Sequence, residues 1–301
     1  MGVLFSPEIL LLIAGHLAPS AMAAFASSAK ALTRAADGTR FMEINITTFA
    51  GLEILYGALH TPWRDLGKHI AELTIHLEED GDIRNFKAPR MHEEPQPLYH
   101  NIPLAAQLCG TLNKARRLKH LHLSAYQLSA EEYTGVVRSI SSRILTHLTI
   151  HHHSPLPAIP LGLLLLAESN LTSLSLPNQY QPFPPGKSEA TLVAPQSIPQ
   201  KSLAHLTRLR SICAPASLIL DLPAECPLEY VHVSGADIPR HHHRPLFESL
   251  GGSPRRVTRL NLPLHEENLS LGVMQEITLN LRHLVVLHVR GVASQAYYTV
   301  R

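Results

Sequence analysis

Histidine is the residue type of this chain with the clearest capacity for chemistry. The 301 residues include 20 histidines, among them consecutive triplets at residues 151–153 and 241–243. Imidazole is the commonest metal ligand in proteins, which raises the hypothesis of a metal site. Adjacent residues of an extended segment point to opposite sides, however, so each triplet offers at most two convergent ligands. No carboxylate, cysteine or H-E-x-x-H motif completes a site, and we interpret both triplets as solvated loop histidines that follow strands.

Motifs of catalysis and cofactor binding do not indicate an enzyme. The sequence contains no G-x-S-x-G, P-loop, dinucleotide-binding or kinase motif. Cys213 lies in a candidate strand with His205 nearby in sequence, but nothing orients them as a nucleophile and its base. We therefore predict a protein that is not an enzyme and that uses no metal, other cofactor or small-molecule substrate.

A second set of histidines lies in short candidate strands that carry apolar residues at the first, fourth and sixth positions. Nine segments fit this template, and they start at Phe41, Ile70, Leu118, Leu145, Leu171, Leu209, Leu228, Val257 and Leu284. Chance alone gives a similar number of matches, so the argument rests on the spacing. Five of the eight intervals are 26–29 residues, at the long end of the roughly 20–29 residues of leucine-rich repeats. The segment at Leu209 is the weakest, since it ends on Ala214 and Pro215, and its register is left open.

Helix signals lie between the candidate strands. Ser129 and Glu132 have the spacing of a capping box, which predicts a helix that ends near Ser142. Thr48 and Asn268 are predicted to cap two further helices. A strand followed by a helix, repeated along the chain, is the unit of a solenoid with parallel strands inside and helices outside.

The sequence thus predicts an α/β fold in two parts. Residues 1–40 form a small α-helical unit, and residues 41–301 form a curved leucine-rich-repeat-like solenoid. Polar, proline-bearing stretches enlarge two of the intervals, and we predict loop insertions at residues 78–97 and 177–199. The last candidate strand ends near Arg290 and residues 291–301 supply no amphipathic helix to cover it, so we expect either a truncated chain or a covering partner.

Residues between the apolar anchors of each strand face the concave side of such a solenoid, and we predict that they bind a target protein. The predicted target-binding residues are His76, His120, His122, His147, Thr149, His151, Tyr230, His232, Arg259, Asn261 and His288. Thr74, Ser124, Ser173, Ser175 and Arg290 extend the same ribbon. The alternative is that exposed strand positions are simply polar and that abundant histidine fills them. Several of these histidines gain charge below about pH 6, which would make the face cationic.

The first 40 residues resemble an F-box. The resemblance rests on Phe5-Ser6-Pro7-Glu8-Ile9-Leu10, on apolar Ile13, Leu17, Met22, Phe25 and Leu32, and on a polar turn at residues 27–32. The sequence departs from the family pattern at Ser6, where Leu is usual, and at Leu32, where a bulky aromatic is common. The resemblance implies that this unit binds the adaptor of a cullin–RING ubiquitin ligase, while the repeats hold a target. The implied adaptor-binding residues are Phe5, Pro7, Glu8, Ile9, Leu10, Ile13 and Leu17.

Two alternatives for the N-terminus stay open. The apolar positions suit a plain amphipathic helix that caps the solenoid, which would leave a repeat scaffold with no ligase link. Residues 9–17 and Ala21-Met22-Ala23 also resemble a signal peptide, although Glu8 stands where positive charge is expected.

The amino-acid composition argues against some classes of binding partner. A net charge of +2 with 17% charged residues argues against intrinsic disorder and against nucleic acid as a partner. No apolar run reaches the length of a membrane span, so no membrane is expected. Three cysteines without paired spacing suit a reducing compartment, and we predict a cytoplasmic or nuclear protein.

Overall fold

The computed structural model describes most of the chain from Phe41 onward. The described residues are 41–61, 65–77, 102–152, 158–168, 170–177, 203–235, 240–264, 270–290 and 295–299, with isolated positions 13, 17, 21, 24, 39 and 238. Apart from those isolated positions and Pro177, the predicted helical unit at residues 1–40 and both predicted insertions lie outside the described residues.

Strands and helices alternate along the described ranges. The strands are β1 (Glu43–Ile46), β2 (Glu72–Leu77), β3 (His120–Ala125), β4 (His147–His151), β5 (Ser173–Ser175), β6 (Ser211–Pro215), β7 (Tyr230–Ser234), β8 (Arg259–Pro263), β9 (Val286–Arg290) and β10 (Gln295–Thr299). The α-helices are α1 (Phe49–Leu59), α2 (Leu104–Lys114), α3 (Ala130–Arg138), α4 (Ala158–Ala167), α5 (Ala216–Leu220), α6 (Arg240–Gly251) and α7 (Leu271–Asn280), and a 3₁₀ helix spans Leu66–His69. Within these ranges, every helix is too short or too polar to cross a membrane.

All ten strands form one sheet in chain order. Strands β1–β9 run parallel, and β10 pairs antiparallel with β9. The fourth positions of the predicted strand segments lie opposite one another, so the α/β class and the strand register are confirmed. The doubtful segment at Leu209 is in register as well, with Ile212 opposite Val231 and Ala214 opposite Val233.

The apolar anchors explain why one face of the sheet is buried. Side chains of a strand alternate between its two faces, so anchors at the fourth and sixth positions share one side. Leu121, Leu148 and Leu174 are each at most 2% exposed. They belong to one apolar core together with helical residues such as Leu52 and Leu108. Successive helices also pack against each other, from α1 to α4 and from α5 to α7.

One carbonyl at the start of each strand joins it to the next. The Lys119 carbonyl accepts the backbone N–H groups of both Thr146 and His147, at 2.8 and 3.0 Å. The Thr146 carbonyl accepts those of Thr172 and Ser173 in the same way. The Thr146 and Thr172 hydroxyls add a further donor to the preceding carbonyl, at 3.1 Å each. These repeated contacts set the common register of the parallel strands.

Two helix ends differ from the prediction. Ser129 and Glu132 form the expected capping box, but α3 ends at Arg138 instead of near Ser142. The hydroxyl of Ser142 instead donates to the Leu118 carbonyl of the neighbouring strand segment, which holds Ser142 in the turn. The N-cap of α7 is Ser270, whose hydroxyl accepts the N–H of Val273, whereas the predicted cap Asn268 lies outside the described residues.

Two further predictions are wrong. Residues 241–243 are helical, within α6, and are not loop histidines. The imidazole of His243 donates to the Ile238 carbonyl at 2.9 Å, which fixes the start of that helix. His152 of the first triplet is buried, with its Nε2 3.0 Å from the Leu128 carbonyl oxygen, and is not a solvated loop histidine either. Strand β9, the last predicted strand, pairs along its edge with β10.

Candidate functional site: the open face of the sheet

The strand face opposite the buried anchors carries two polar columns, and we call it the open face. The first column contains Glu43, Glu72, His120, His147, Ser173, Ser211, Tyr230 and Arg259, and ends at Val286. The second column contains Asn45, Thr74, His122, Thr149, Ser175, Cys213, His232, Asn261 and His288. Most of these side chains are half-buried or exposed. Nine of the eleven predicted target-binding residues lie in these two columns, and the other two, His76 and His151, lie on the same face in the next row, on either side of buried Ser124.

Five histidines form a cluster on strands β2 to β4, which we call the histidine cluster. Its members are His76, His120, His122, His147 and His151. The ring centroids of His120 and His147 are 4.2 Å apart, and those of His122 and His151 are 5.3 Å apart in a stacked arrangement. His76 approaches His122 edge-on at 6.4 Å. Parallel pairing at a shared register places each ring beside the next, so their charges are coupled.

Burial and nearby histidines lower the pKa of three members of the histidine cluster, His122, His147 and His151. Burial is the main cause of the lowered pKa of His122, and the nearby His76 adds to it. Burial also lowers the pKa of His151, with His122 and His76 contributing. The pKa of His147 is lowered by burial and by His120, against a smaller opposing effect of Glu72. The lowered pKa values favour the neutral imidazoles of His122, His147 and His151, which can both donate and accept hydrogen bonds.

Glu72 gives one end of the histidine cluster an anionic partner. Its carboxylate oxygen Oε1 lies 3.0 Å from Nδ1 of His120 on the next strand, and both side chains are about two-fifths exposed, at 42% and 41%. The two residues lie directly opposite each other in the sheet.

The strand ends under the histidine cluster are held by Tyr133 of α3. This tyrosine is fully buried, and its hydroxyl lies 3.1 Å from the Leu123 carbonyl oxygen and 3.3 Å from that of His151. Burial, with a smaller contribution from Tyr126, raises the pKa of Tyr133 above its usual range, so its hydroxyl stays a donor. Ser124, between His76 and His151 in register, is fully buried. Tyr133 therefore joins β3 to β4 at the strand ends that carry His122 and His151.

The other end of the open face carries permanent cations. Arg259 and Arg290 are exposed on β8 and β9. The pKa of His232 is lowered by burial first, and then by Arg290 and His288. This arrangement favours neutral His232 beside the arginines, and it gives the β8–β9 end a positive potential at all physiological pH values.

Cys213 lies opposite His232 on β7 and opposite Ser175 on β5. Burial raises the pKa of the Cys213 thiol, against a smaller effect of the hydrogen bond with Ser175. A catalytic cysteine needs a lowered pKa. The raised pKa of Cys213 is instead typical of a thiol that is packed in the sheet.

Both histidine triplets contain a buried structural residue. His152 contacts the Leu128 carbonyl through Nε2 at 3.0 Å, and its ring lies 4.7 Å from that of Tyr133. His243 is buried in the same way at the start of α6. Across the part of the chain that the structure describes, no three His, Cys, Asp or Glu side chains are placed to hold a metal ion.

Sequence reasoning missed four acidic or polar residues of the open face. Glu43, Asn45, Glu72 and Ser211 occupy the same template positions as the predicted residues. The template contained the signal, since these residues stand between apolar anchors like the histidines. Tyr126, whose ring lies 6.5 Å from that of His76, follows its strand and has no such positional signal.

The predicted adaptor-binding residues are largely outside the described residues. Phe5, Pro7, Glu8, Ile9 and Leu10 are not described, while Ile13 and Leu17 are half-buried isolated positions. Comparisons of the sequence with protein-family models and with curated proteins found no match.

Proposed function

We propose that this chain is the substrate-recognition subunit of an SCF-type cullin–RING E3 ubiquitin ligase. In this proposal the N-terminal unit binds the adaptor, and the open face binds the target protein. The adaptor half is supported by the F-box resemblance of residues 5–10 and of the apolar positions that follow. The subunit itself is non-catalytic and acts in the cytoplasm, the nucleus or both.

The proposal treats residues 41–301 as a leucine-rich-repeat-like solenoid. Each of β1–β9 lies beside the strand that follows it in the chain, and buried leucine, isoleucine or valine anchors line up across the sheet. In a solenoid each repeat contacts mainly its neighbours, which gives an extended surface for recognition of another protein. The packing of successive helices on the other side of the sheet suits this arrangement.

A single observation carries the binding half of the proposal, namely the two largely polar columns that run side by side across the parallel strands, the first as far as Arg259 on β8 and the second as far as His288 on β9. An ordinary α/β enzyme with a fully parallel sheet covers both of its faces with helices. Here the anchor face is buried and the open face presents half-buried polar side chains. A half-buried surface of histidine, arginine, serine and threonine suits protein recognition.

Affinity purification of the tagged full-length chain, with identification of the bound proteins, tests the proposal. The expected result is co-purification of the ligase adaptor together with at least one target. Target proteins without the adaptor would support instead a repeat scaffold with no ligase link, which the departures at Ser6 and Leu32 leave open.

A further inference from the structure

Charge is ordered along the open face from one end to the other. Glu43 and Glu72 occupy the first polar column on β1 and β2. The middle strands carry histidine, serine and threonine, and Arg259 and Arg290 lie on β8 and β9. Across the described open-face positions of β6 to β9, no carboxylate is present. The face is therefore acidic at its first strands and cationic at its last ones.

The two arginines have a defined separation. Arg290 lies opposite Pro263, which is the fourth residue after Arg259 along β8. At about 3.3 Å per residue, the two arginines are about 13 Å apart along the strand direction. An extended peptide has the same repeat, so carboxylates four residues apart in it match this spacing.

Both guanidinium groups are available to a partner. The nearby Arg255 is already paired with Glu229 at 2.8 Å, outside the open face. Within the described ranges, neither Arg259 nor Arg290 has an ion-pair partner. Between them lies Asn261, whose amide supplies a further hydrogen-bond donor. Tyr230, 38% exposed, lies opposite Arg259 on the next strand.

We propose that the β8–β9 end of the open face binds an extended acidic segment of the target protein, with carboxylates about four residues apart. This inference rests on the proposed function, because it names the chemistry of the target. Arginine binds carboxylates through two parallel N–H···O bonds, which gives geometric specificity as well as attraction. The glutamates at the far end disfavour the same segment there, so the face also fixes its position.

The test uses a fluorescein-labelled decapeptide of alternating Glu and Ser, with an otherwise identical peptide that has Gln for Glu. Binding to the full-length protein is measured by fluorescence anisotropy at low and high salt. The expected result is binding of the Glu peptide that weakens with salt and falls at least tenfold in the Arg259→Glu, Arg290→Glu double variant. The matched control, Arg117→Glu with Arg138→Glu, makes the same charge change at exposed positions outside the open face, and it should bind within about twofold of the unaltered protein.

Four outcomes would overturn the inference. Three of them are equal binding of the Glu and Gln peptides, no binding of the Glu peptide up to millimolar concentration, and equal losses in the two double variants. Tighter binding of a ten-nucleotide poly-dT than of the Glu peptide would assign the surface to nucleic acid instead. Adaptor co-purification is measured on the same double variant, and it should be unchanged. If the unaltered protein does not co-purify the adaptor, the proposed function is contradicted, whereas the result of the peptide experiment is unaffected.

Discussion

The imidazole rings of His122 and His151 stack across β3 and β4, with 5.3 Å between their centroids and 11° between their planes. They occupy neighbouring strands of the parallel sheet. Burial is the main cause of the lowered pKa of both rings; His76 adds to the effect on each, and His122 adds to the effect on His151. A proton on one ring repels a proton on the other. The protonation of the two rings on the open face therefore depends on how closely β3 and β4 pack them together.

Stability should decrease as the pH falls below 6.5 because of this pair. The ordinary pKa of 6.5 applies to the unfolded chain, and the pKa values of His122 and His151 in the folded protein lie below it. Between the two values the unfolded state binds more protons, so the free energy of unfolding falls with falling pH. Urea denaturation at pH 7.5, 6.5 and 5.5 should show a smaller decrease for the His122→Gln, His151→Gln double variant than for the unaltered protein.

The unaltered protein and the double variant share all other titrating groups. The difference between their pH dependences of stability therefore reports on His122 and His151. His76 lies beside His122, and His120, His147 and Glu72 contact one another on the same face; all four are present in both proteins. Parallel curves of unfolding free energy against pH for the two proteins would contradict the coupling of His122 and His151.

For Glu168 we predict a pH dependence of the free energy of unfolding with the opposite sign. Its side chain is 1% exposed, and burial raises its pKa from 4.5 to about 7, against a smaller effect of the Leu145 N–H. The folded state then binds more protons than the unfolded state between these values, so stability falls as the pH rises from 4.5 to 7. Glu168→Gln should raise the free energy of unfolding at pH 8 by about 1–3 kcal/mol, because it removes a buried charge.

The same Glu168→Gln variant should match the unaltered protein at pH 5, where the carboxyl is protonated and resembles an amide. Chemical denaturation at both pH values tests this. A variant that is less stable at pH 8 would show that the carboxylate is well solvated or paired there.

Neighbouring positions of β4 should differ sharply in their cost of substitution. Leu148 is 1% exposed in the core, whereas Thr149 is half-buried on the open face. Leu148→Ala should lower the free energy of unfolding by about 2–5 kcal/mol, because it leaves a cavity. Thr149→Ala should change it by less than about 1 kcal/mol. Equal effects in urea denaturation would contradict the assignment of the two faces.

The hydroxyl of Tyr133 should contribute to stability through the strand ends that it joins. Tyr133→Phe removes the hydroxyl of a buried side chain. That hydroxyl is the side chain's only hydrogen-bond donor, and it contacts the Leu123 and His151 carbonyls. The expected loss is about 1–2 kcal/mol of unfolding free energy, because a buried acceptor loses its partner. Tyr230→Phe, at an exposed position, serves as the control and should change stability by less than about 0.5 kcal/mol. The prediction fails if both variants lose the same stability.

Strand register was predictable because it depends on a local requirement. Each strand must bury one face, and a period of two assigns anchors and polar residues without knowledge of the neighbours. Even Ala214, which weakened the Leu209 segment, is buried in the expected order at 0% exposure. Pro215 is buried against the alternation, which assigns it to the open face. The same alternation identified the open-face residues, and it would have included Glu72.

Features that depend on distant contacts were not predictable from local patterns. Helix α4 is apolar on all sides, so it has no helical periodicity to detect. Helix α6 contains three consecutive histidines and Pro245, which favour a loop in isolation. The pairing of β10 with β9 and the stacking of His122 on His151 both require the assembled sheet.

Quantitative capture of the ligase adaptor by the full-length chain tests the central claim most directly. The variant Ile9→Lys places a charge in the proposed apolar adaptor contact, where an unpaired charge is costly. The matched control Ile54→Lys makes the same change at a helical position that is 73% exposed. Capture by the unaltered chain and by Ile54→Lys, with at least a tenfold loss for Ile9→Lys, is the result that the proposed function predicts. Equal adaptor capture by the two variants, or no capture by the unaltered chain, would contradict it.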